Sequence, residues 1–366
     1  MKRSLICLLA GLALATASGS EDAVKWLDGA KLPLSGRAFP DAPGLERLPA
    51  RLEGVVSAAD FEMRMNPAGL ALRFVTDSKK LRFRWSLKWD LLGIGGMPPS
   101  GVSGIDVYAR APGGAWRQVR CLFPHGTNSV DLTEDVAWTP GDECLAYLPP
   151  YNALSKLLVG FDADAAVKDP PPWRGAKRPV VAYGHSITQG GYASRPGMIW
   201  AARLGRQLDV DVVNLGFSGS GLMEIEWARV LGTLDAAAFL IDTVDNMTVE
   251  QIRSRNVPFI RELHRLRPAT PIVVLADTCI HSPARVDPIN AASRAAYDEI
   301  VKADPSAKAW LRYVTTAELV PDSECTVDGC HLNDWGMVSV ANALTPILRP
   351  LLGLGRDPWA CKTGAE

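Results

Sequence analysis

The chain has 366 residues, 47% apolar and 22% charged, enough for two domains with sizeable cores and too apolar for a disordered chain. Its formal charge is −1, which gives no electrostatic ground for binding nucleic acid or an anionic membrane surface.

The first twenty residues read as a signal peptide. Lys2 and Arg3 form the basic region, Leu5 to Leu14 the apolar core, and Ala15-Thr16-Ala17 a small-residue cleavage site. The apolar run is too short to span a bilayer, which argues against an anchor helix. The expectation is export to the periplasm or the medium, with no membrane span in the mature chain. Cleavage removes Cys7 and leaves Cys121, Cys144, Cys279, Cys325, Cys330 and Cys361, an even set that favours disulfides in an exported protein. Cys325 with Cys330, and Cys121 with Cys144, are the expected pairs among many allowed ones. The rival for Cys325, Cys330 and His331 is a metal site. No second ligand pair with zinc-like spacing accompanies them, so no metal is expected.

Residues 21–168 look β-rich. Residues 70–75 and 80–87 are strand-like, the second with apolar/polar alternation, and Gly/Pro turns at 93–101, 112–114 and 140–142 separate later runs. This spacing predicts an antiparallel β-sandwich, jelly-roll-like in plan. The Pro-rich stretch 169–176 then reads as a stiff linker.

From 177 to 355 the pattern becomes α/β. Apolar runs at 179–183, 211–215, 238–242, 272–276 and 309–314 alternate with helical stretches near 197–208, 222–232, 248–267 and 290–303. A last amphipathic helix spans about 334–352, with a kink expected at Pro346. The pattern predicts a parallel sheet wrapped by helices, with its ligand at the carboxyl ends of the strands. Residues 356–366 form a tail.

Four strand-end segments carry the chemistry. Ser186 follows the first strand in Gly184-His185-Ser186-Ile187-Thr188-Gln189-Gly190, as a nucleophile or as a cap of the next turn. The second strand ends in Asn214-Leu215-Gly216-Phe217-Ser218-Gly219-Ser220-Gly221, where the Gly219 amide could face a developing oxyanion and Ser218 and Ser220 are rival nucleophiles. Asn246 follows the third strand, as an amide donor or a helix cap. In Asp328-Gly329-Cys330-His331 an aspartate precedes a histidine by three residues, which suits a base and its orienting acid. Of the other histidines His125 lies in the β-rich half, His264 in a polar helix, and His185 abuts Ser186. His281, after the fourth strand, is the fallback base.

At these segments the chain resembles the SGNH (GDSL-type) hydrolases, whose fold is a flavodoxin-like three-layer α/β sheet. The resemblance implies a catalytic triad of Ser186, Asp328 and His331, and an oxyanion hole of the Ser186 amide, Gly219 and Asn246. His185 stands where the family usually has Asp, and Asn246 lies in Val244-Asp245-Asn246-Met247 rather than Gly-x-Asn-Asp. One branch carries Ser-Ile-Thr-Gln-Gly followed by Ala-Ser-Arg-Pro-Gly, as at residues 186–190 and 193–197. That branch also has an N-terminal β domain with a Gly-x-Asp-Leu-Tyr-like motif, to which Gly104-Ile105-Asp106-Val107-Tyr108 and the later Leu148-Pro149-Pro150-Tyr151-Asn152 are similar. Enzymes of this plan are similar to carbohydrate acetylesterases. The resemblance implies a secreted serine esterase acting on an acylated carbohydrate or other small ester without a cofactor. Tyr192, Arg195, Glu224 and Asp277 are the residues placed to shape the substrate pocket. A lipase or thioesterase, or an inactive glycan-binding protein, are the alternatives.

Overall fold

The structure is a computed structural model that describes residues 24–280 and 283–355. The segment expected to be a signal peptide, His281, Cys361 and the tail 356–366 lie outside the described residues.

The N-terminal β domain is built from β1 (Val24–Asp28), β2 (Leu34–Ser35), β3 (Ala71–Thr76), β4 (Lys80–Leu87), β5 (Ile105–Arg110), β6 (Arg117–Leu122), β7 (Leu132–Ala137), β8 (Glu143–Tyr147), β9 (Leu154–Asp162) and β10 (Val167–Lys168). One antiparallel sheet has the order β1-β9-β4-β7; the other runs β10-β3-β8-β5-β6, with β2 paired to β3. The alternation read in β4 sends Leu81, Phe83 and Trp85 inward, where they meet Phe74, Val107 and Phe161 from both sheets. Two short helices, α1 (Ala58–Glu62) and α2 (Pro99–Val102), sit in the connections.

The second half holds five parallel strands: β11 (Val180–Gly184), β12 (Val212–Gly216), β13 (Ala238–Asp242), β14 (Ile272–Leu275) and β15 (Leu311–Val314). Their order, β12-β11-β13-β14-β15, is flavodoxin-like. The helices are α3 (Ser186–Gln189), α4 (Trp200–Leu208), α5 (Ile225–Gly232), α6 (Val249–Leu266), α7 (Pro283–Ala303), α8 (Thr316–Leu319) and α9 (Asp334–Leu351). Alternate residues of β11 enter different layers. Val181 and Tyr183 meet Trp227 of α5 and Phe259 of α6, while Val180 and Ala182 meet Leu204 of α4 and Leu344 of α9. A strand covered on both faces needs no polar side chain, and β11, β12, β13 and β14 are buried throughout.

Two apolar interfaces, among other contacts, join the halves. The six-stranded β sheet turns its second face, including Ala71, Tyr108, Leu145 and Tyr147, onto Trp200 and Leu204 of α4. The long connection from β2 to β3 leaves the sandwich and seats Phe39, Leu48, Leu52, Val56 and Phe61 in the core beneath α5 and α6. Within it Asp60 accepts a 2.8 Å bond from the indole N–H of Trp227.

Two expectations about helices change. α7 starts at Pro283, not near 290, and carries Pro288 inside it. α9 remains one helix through Pro346.

Candidate active site

β11 ends at Gly184, and His185 caps α3, its Nδ1 accepting the Ile187 amide at 3.2 Å. Ser186 is thereby the first helical residue, an end where amides lack intrahelical partners. Its Oγ lies 3.1 Å from His331 Nε2, and His331 Nδ1 lies 2.8 Å from Asp328 Oδ2. The second Asp328 oxygen accepts the amides of Cys330 (3.0 Å) and His331 (2.7 Å), so one carboxylate fixes both the ring and its backbone. Partial burial acts to raise the Asp328 pKa, but the bonds from His331 and Cys330 outweigh it and hold the carboxyl below its usual range. Gly329, at φ 86°, makes the turn between them. Among the described residues, Ser186 is the serine whose hydroxyl meets a histidine ring.

The loops after β12 and β13 flank this point because those strands are the neighbours of β11. Gly219 has φ +72°, and a Cβ built there would meet nothing within 4 Å, so its backbone faces open space. Asn246 donates one amide hydrogen to the Ser220 carbonyl at 3.1 Å, which ties the third loop to the second. Gln189 links the first loop to the second, accepting the Ser218 amide at 2.8 Å and donating to the Pro150 carbonyl at 2.8 Å.

The β domain supplies part of the wall. Tyr151 donates to the Ser186 carbonyl at 3.1 Å. Tyr192 stacks on the His331 ring at 4.5 Å, and Gly96 of the β domain packs so close to Tyr192 that a Cβ there would lie 2.3 Å from it. Asp106 of the Gly-x-Asp-x-Tyr motif accepts from the Gly197 amide (2.9 Å) and pairs with Arg195, which also donates to the Tyr108 hydroxyl at 2.6 Å. Arg195 is thus held at the seam between the two halves. The segment from the second half that carries it is positioned by the motif of the first.

Beneath the base loop the cysteine expectation fails. Cys330 is joined to Cys279, 51 residues away, not to Cys325. Cys325 is a buried free thiol in the core against α9, while Cys330 points toward Asp245. Cys121 and Cys144 are also free. They lie on β6 and β8, with β5 between them. Two strand spacings make about 10 Å, beyond the Cα separation a disulfide spans. Asp245 lies 3.0 Å from Cys279 Sγ and 3.4 Å from Cys330 Sγ, but sulfurs joined to each other are not thiolate ligands.

Two of the pocket candidates are placed away from open solvent. Asp277 is fully buried, accepts the Cys279 amide at 2.7 Å and lies 3.4 Å from Arg285. Burial first, then the neighbouring Asp245 charge, raise its pKa to about 7. Glu224 is half-buried, between the Tyr183 hydroxyl (3.5 Å) and Arg255 (3.7 Å). His185 sits 3.4 Å from the buried Asp242. Burial opposes a charged ring there, while the Asp242 charge pulls the pKa upward. The amide received at Nδ1 favours the neutral ring instead, and since that bond shapes the nucleophile turn we take the ring as neutral, with Nε2–H toward Asp242.

The pattern of the GDSL-like lipase/acylhydrolase family matches residues 177–349, and that of the N-terminus of SGNH-hydrolase-type esterases, the GxDLY domain, matches residues 24–167. The chain belongs to the GDSL-like (SGNH-type) hydrolases. It is a carboxylic ester hydrolase. A solved structure described as a GDSL-like lipase of Bacteroides ovatus is 29% identical, with a TM-score of 0.82 over 91% of this chain and 99% of that one. The salicylyl-acyltransferase of a tetracycline biosynthetic pathway (16% identity, TM-score 0.71, 90% and 97% covered) shares the fold. So does a family two carbohydrate esterase of Cellvibrio japonicus (13%, 0.57, 90% and 98%). Among curated proteins nothing matches the chain.

Of the residues expected from the four blocks, the structure brings Ser186, His331 and Asp328 together, and sets Gly219 and Asn246 on the neighbouring loops. Nothing in the sequence pointed to Tyr192 as the ring stacked on His331, to Gln189 as the clasp between loops, or to Cys279 as the partner of Cys330.

Proposed function

We propose that this protein is an exported serine esterase that removes small O-acyl groups, acetyl foremost, from carbohydrate. The hydrogen-bonded series Ser186–His331–Asp328 at the carboxyl end of the parallel sheet carries the reading. Ser186 Oγ attacks the ester carbonyl while His331 Nε2 takes its proton. Asp328 keeps the proton of the ring on Nδ1 and balances the imidazolium as it forms. The Ser186 and Gly219 amides and the Asn246 side chain receive the oxyanion, each donor worth roughly 10²–10³ in turnover. His331 then protonates the departing sugar oxygen, which leaves as a hydroxyl, and water, activated by the same ring, releases the acid from the acyl-serine. No metal or cofactor enters this scheme.

Tyr192 over the base, with Gly96 behind it and the Tyr151 hydroxyl close to Gly191, crowds that side of the nucleophile and favours a short acyl group. The carbohydrate esterase fold shared with the Cellvibrio japonicus enzyme supports a sugar as the alcohol part. The signal pattern in residues 1–20 and a disulfide support export, and among the described residues no helix is long and apolar enough to cross a membrane. We take 21–168, 169–176 and 177–355 as the sandwich, linker and hydrolase segments.

Hydrolysis of aryl acetate, butyrate and octanoate, with Ser186→Ala as control, tests the reading. Turnover should fall steeply with chain length and vanish in the variant. Preference for octanoate would replace the acetylesterase with a lipase, and equal activity in both proteins would remove Ser186 from the mechanism.

A further inference from the structure

A groove of about 1050 Å³ lies between β5 and β6 of the sandwich and helices α4 and α9 of the hydrolase half. Ser186, Asp328 and His331 do not line it. Arg195 does, only three residues after Tyr192, the ring stacked on the base. Six arginines face the groove: Arg110, Arg174, Arg195, Arg203, Arg206 and Arg349.

Three of them are ion-paired. Arg110 pairs with Glu143 (2.7 Å) and Asp209 (2.8 Å), Arg174 with Asp209 (3.4 Å), and Arg195 with Asp106. Arg203, Arg206 and Arg349 make no ion pair with a carboxylate among the described residues, although Asp106 lies near enough to Arg206, and Asp334 to Arg203, to be felt. Arg206 donates to the carbonyls of Gly197 (2.6 Å) and Ala202 (3.2 Å) and stacks 4.0 Å from the Tyr108 ring. Arg349 donates to the Gly355 carbonyl at 2.9 Å. Arg203 reaches only the Met198 sulfur at 3.7 Å, and its buried Nε has no hydrogen-bond partner. Burial and then repulsion from Arg206 lower its pKa. Two guanidiniums one helical turn apart repel each other unless an anion sits between them. Groups of another kind share the wall with Asp209, Tyr108 and Leu208: Trp116, the amides of Gln118, Gln207 and Asn342, and the Thr345 hydroxyl, the last three joined through Gln207 by hydrogen bonds of 2.8 and 2.9 Å. Guanidiniums recognise carboxylates with two parallel bonds, while amides, hydroxyls and an indole suit sugar hydroxyls and ring faces.

We propose that this groove binds a carboxylate-bearing saccharide chain, of the uronate type, as a subsite that holds the polymer while an acylated residue of the same chain reaches Ser186. The last clause rests on the esterase reading; the binding does not. A subsite apart from the nucleophile engages only substrates long enough to span both.

The test is calorimetric titration of the full mature protein carrying Ser186→Ala, which reports binding without turnover. The ligands are a deacylated tetra-uronate, a neutral oligosaccharide of equal length, and inorganic phosphate. The uronate should bind at least tenfold more tightly than either of the others and weaken as salt is added. Arg203→Gln with Arg206→Gln should reduce its affinity at least tenfold. Because those half-buried changes could disturb folding, Asn342→Glu, at an exposed position on the rim, serves as a second variant and should weaken the uronate several-fold and leave the neutral oligosaccharide unchanged. Equal binding of acidic and neutral chains, indifference to both variants, or phosphate binding as tightly as the uronate would overturn the proposal. Absence of ester hydrolysis in the unmutated enzyme would sink the esterase reading and leave this one standing.

Discussion

Gly219 and Gly221 both lie at positive φ, +72° and +75°, but for different neighbours. A methyl group on Gly221 would meet the Gly184 carbonyl at 2.4 Å, whereas on Gly219 it would meet nothing. Gly219→Ala should therefore fold, lose about 1–2 kcal/mol to the left-handed backbone, and lose turnover by roughly 10²–10³ if the amide leaves its place. Gly221→Ala should be damaged mainly in stability; melting curves and aryl acetate turnover separate the two. Asp277 offers a pH test. Its folded pKa, about 7, exceeds the unfolded 3.8, so the folded state binds the proton more tightly. Stability is then lost as pH rises from about 4 to about 7 and stays lost above. Asp277→Asn should melt higher than the unmutated protein at pH 8, with the gap closing toward pH 5. Melting temperatures across that range decide it, and a constant gap would remove Asp277 as the cause. At this scale the sequence disclosed groups whose chemistry is carried by residue type and strand-end position, such as Ser186 and His331. It marked Tyr192 for the substrate pocket but not as the ring stacked on the base, because that contact depends on a residue 139 positions away in a different loop.

Among the elements, β11, β13 and β14 were legible as mostly apolar runs because both their faces are covered. The start of α7 was not, since proline is usually read as a boundary and Pro288 lies inside the helix. Disulfide pairing was hidden for a related reason. Nearness in sequence favoured Cys325 for Cys330, but the loop after β14 and the base loop meet in space, where Ile280 donates to the Gly329 carbonyl at 2.9 Å. Closing a loop of 51 residues constrains the unfolded chain by about 4 kcal/mol in the chain-entropy estimate. Cys279→Ala with Cys330→Ala should lower unfolding free energy by up to that amount, measured by denaturant titration. It should also reduce turnover, since Cys330 adjoins His331. Unchanged turnover with lowered stability would mean that the base loop is held by Asp328 alone. Arg47 shows a similar reach. Buried, it donates to the Gly216 carbonyl at 2.7 Å and stacks on Phe217, bracing the strand end that leads to Gly219 from a segment of the N-terminal half.

For the whole molecule, composition shift and the Pro-rich stretch disclosed a sandwich followed by an α/β layer, and both are present. Their cross-packing was not legible, because apolar residues in a connection look the same whichever core receives them. Phe39, Leu48, Leu52 and Phe61 complete the hydrolase core, and Tyr108 and Tyr147 cover α4. Residues 177–355 expressed alone should therefore be insoluble or molten, while the mature chain melts in one transition; calorimetry of both checks this. Two resolved transitions, or a folded fragment, would show the halves to be independent. The covalent connection through residues 169–176 is thus one tie among several between them. In an evolutionary sense the two halves cannot be shuffled like beads on a string. A recombination that set this sandwich before an unrelated hydrolase would strand those four side chains in water and leave the new partner's core open. Exchange of either half therefore demands matching changes at the surface of the other.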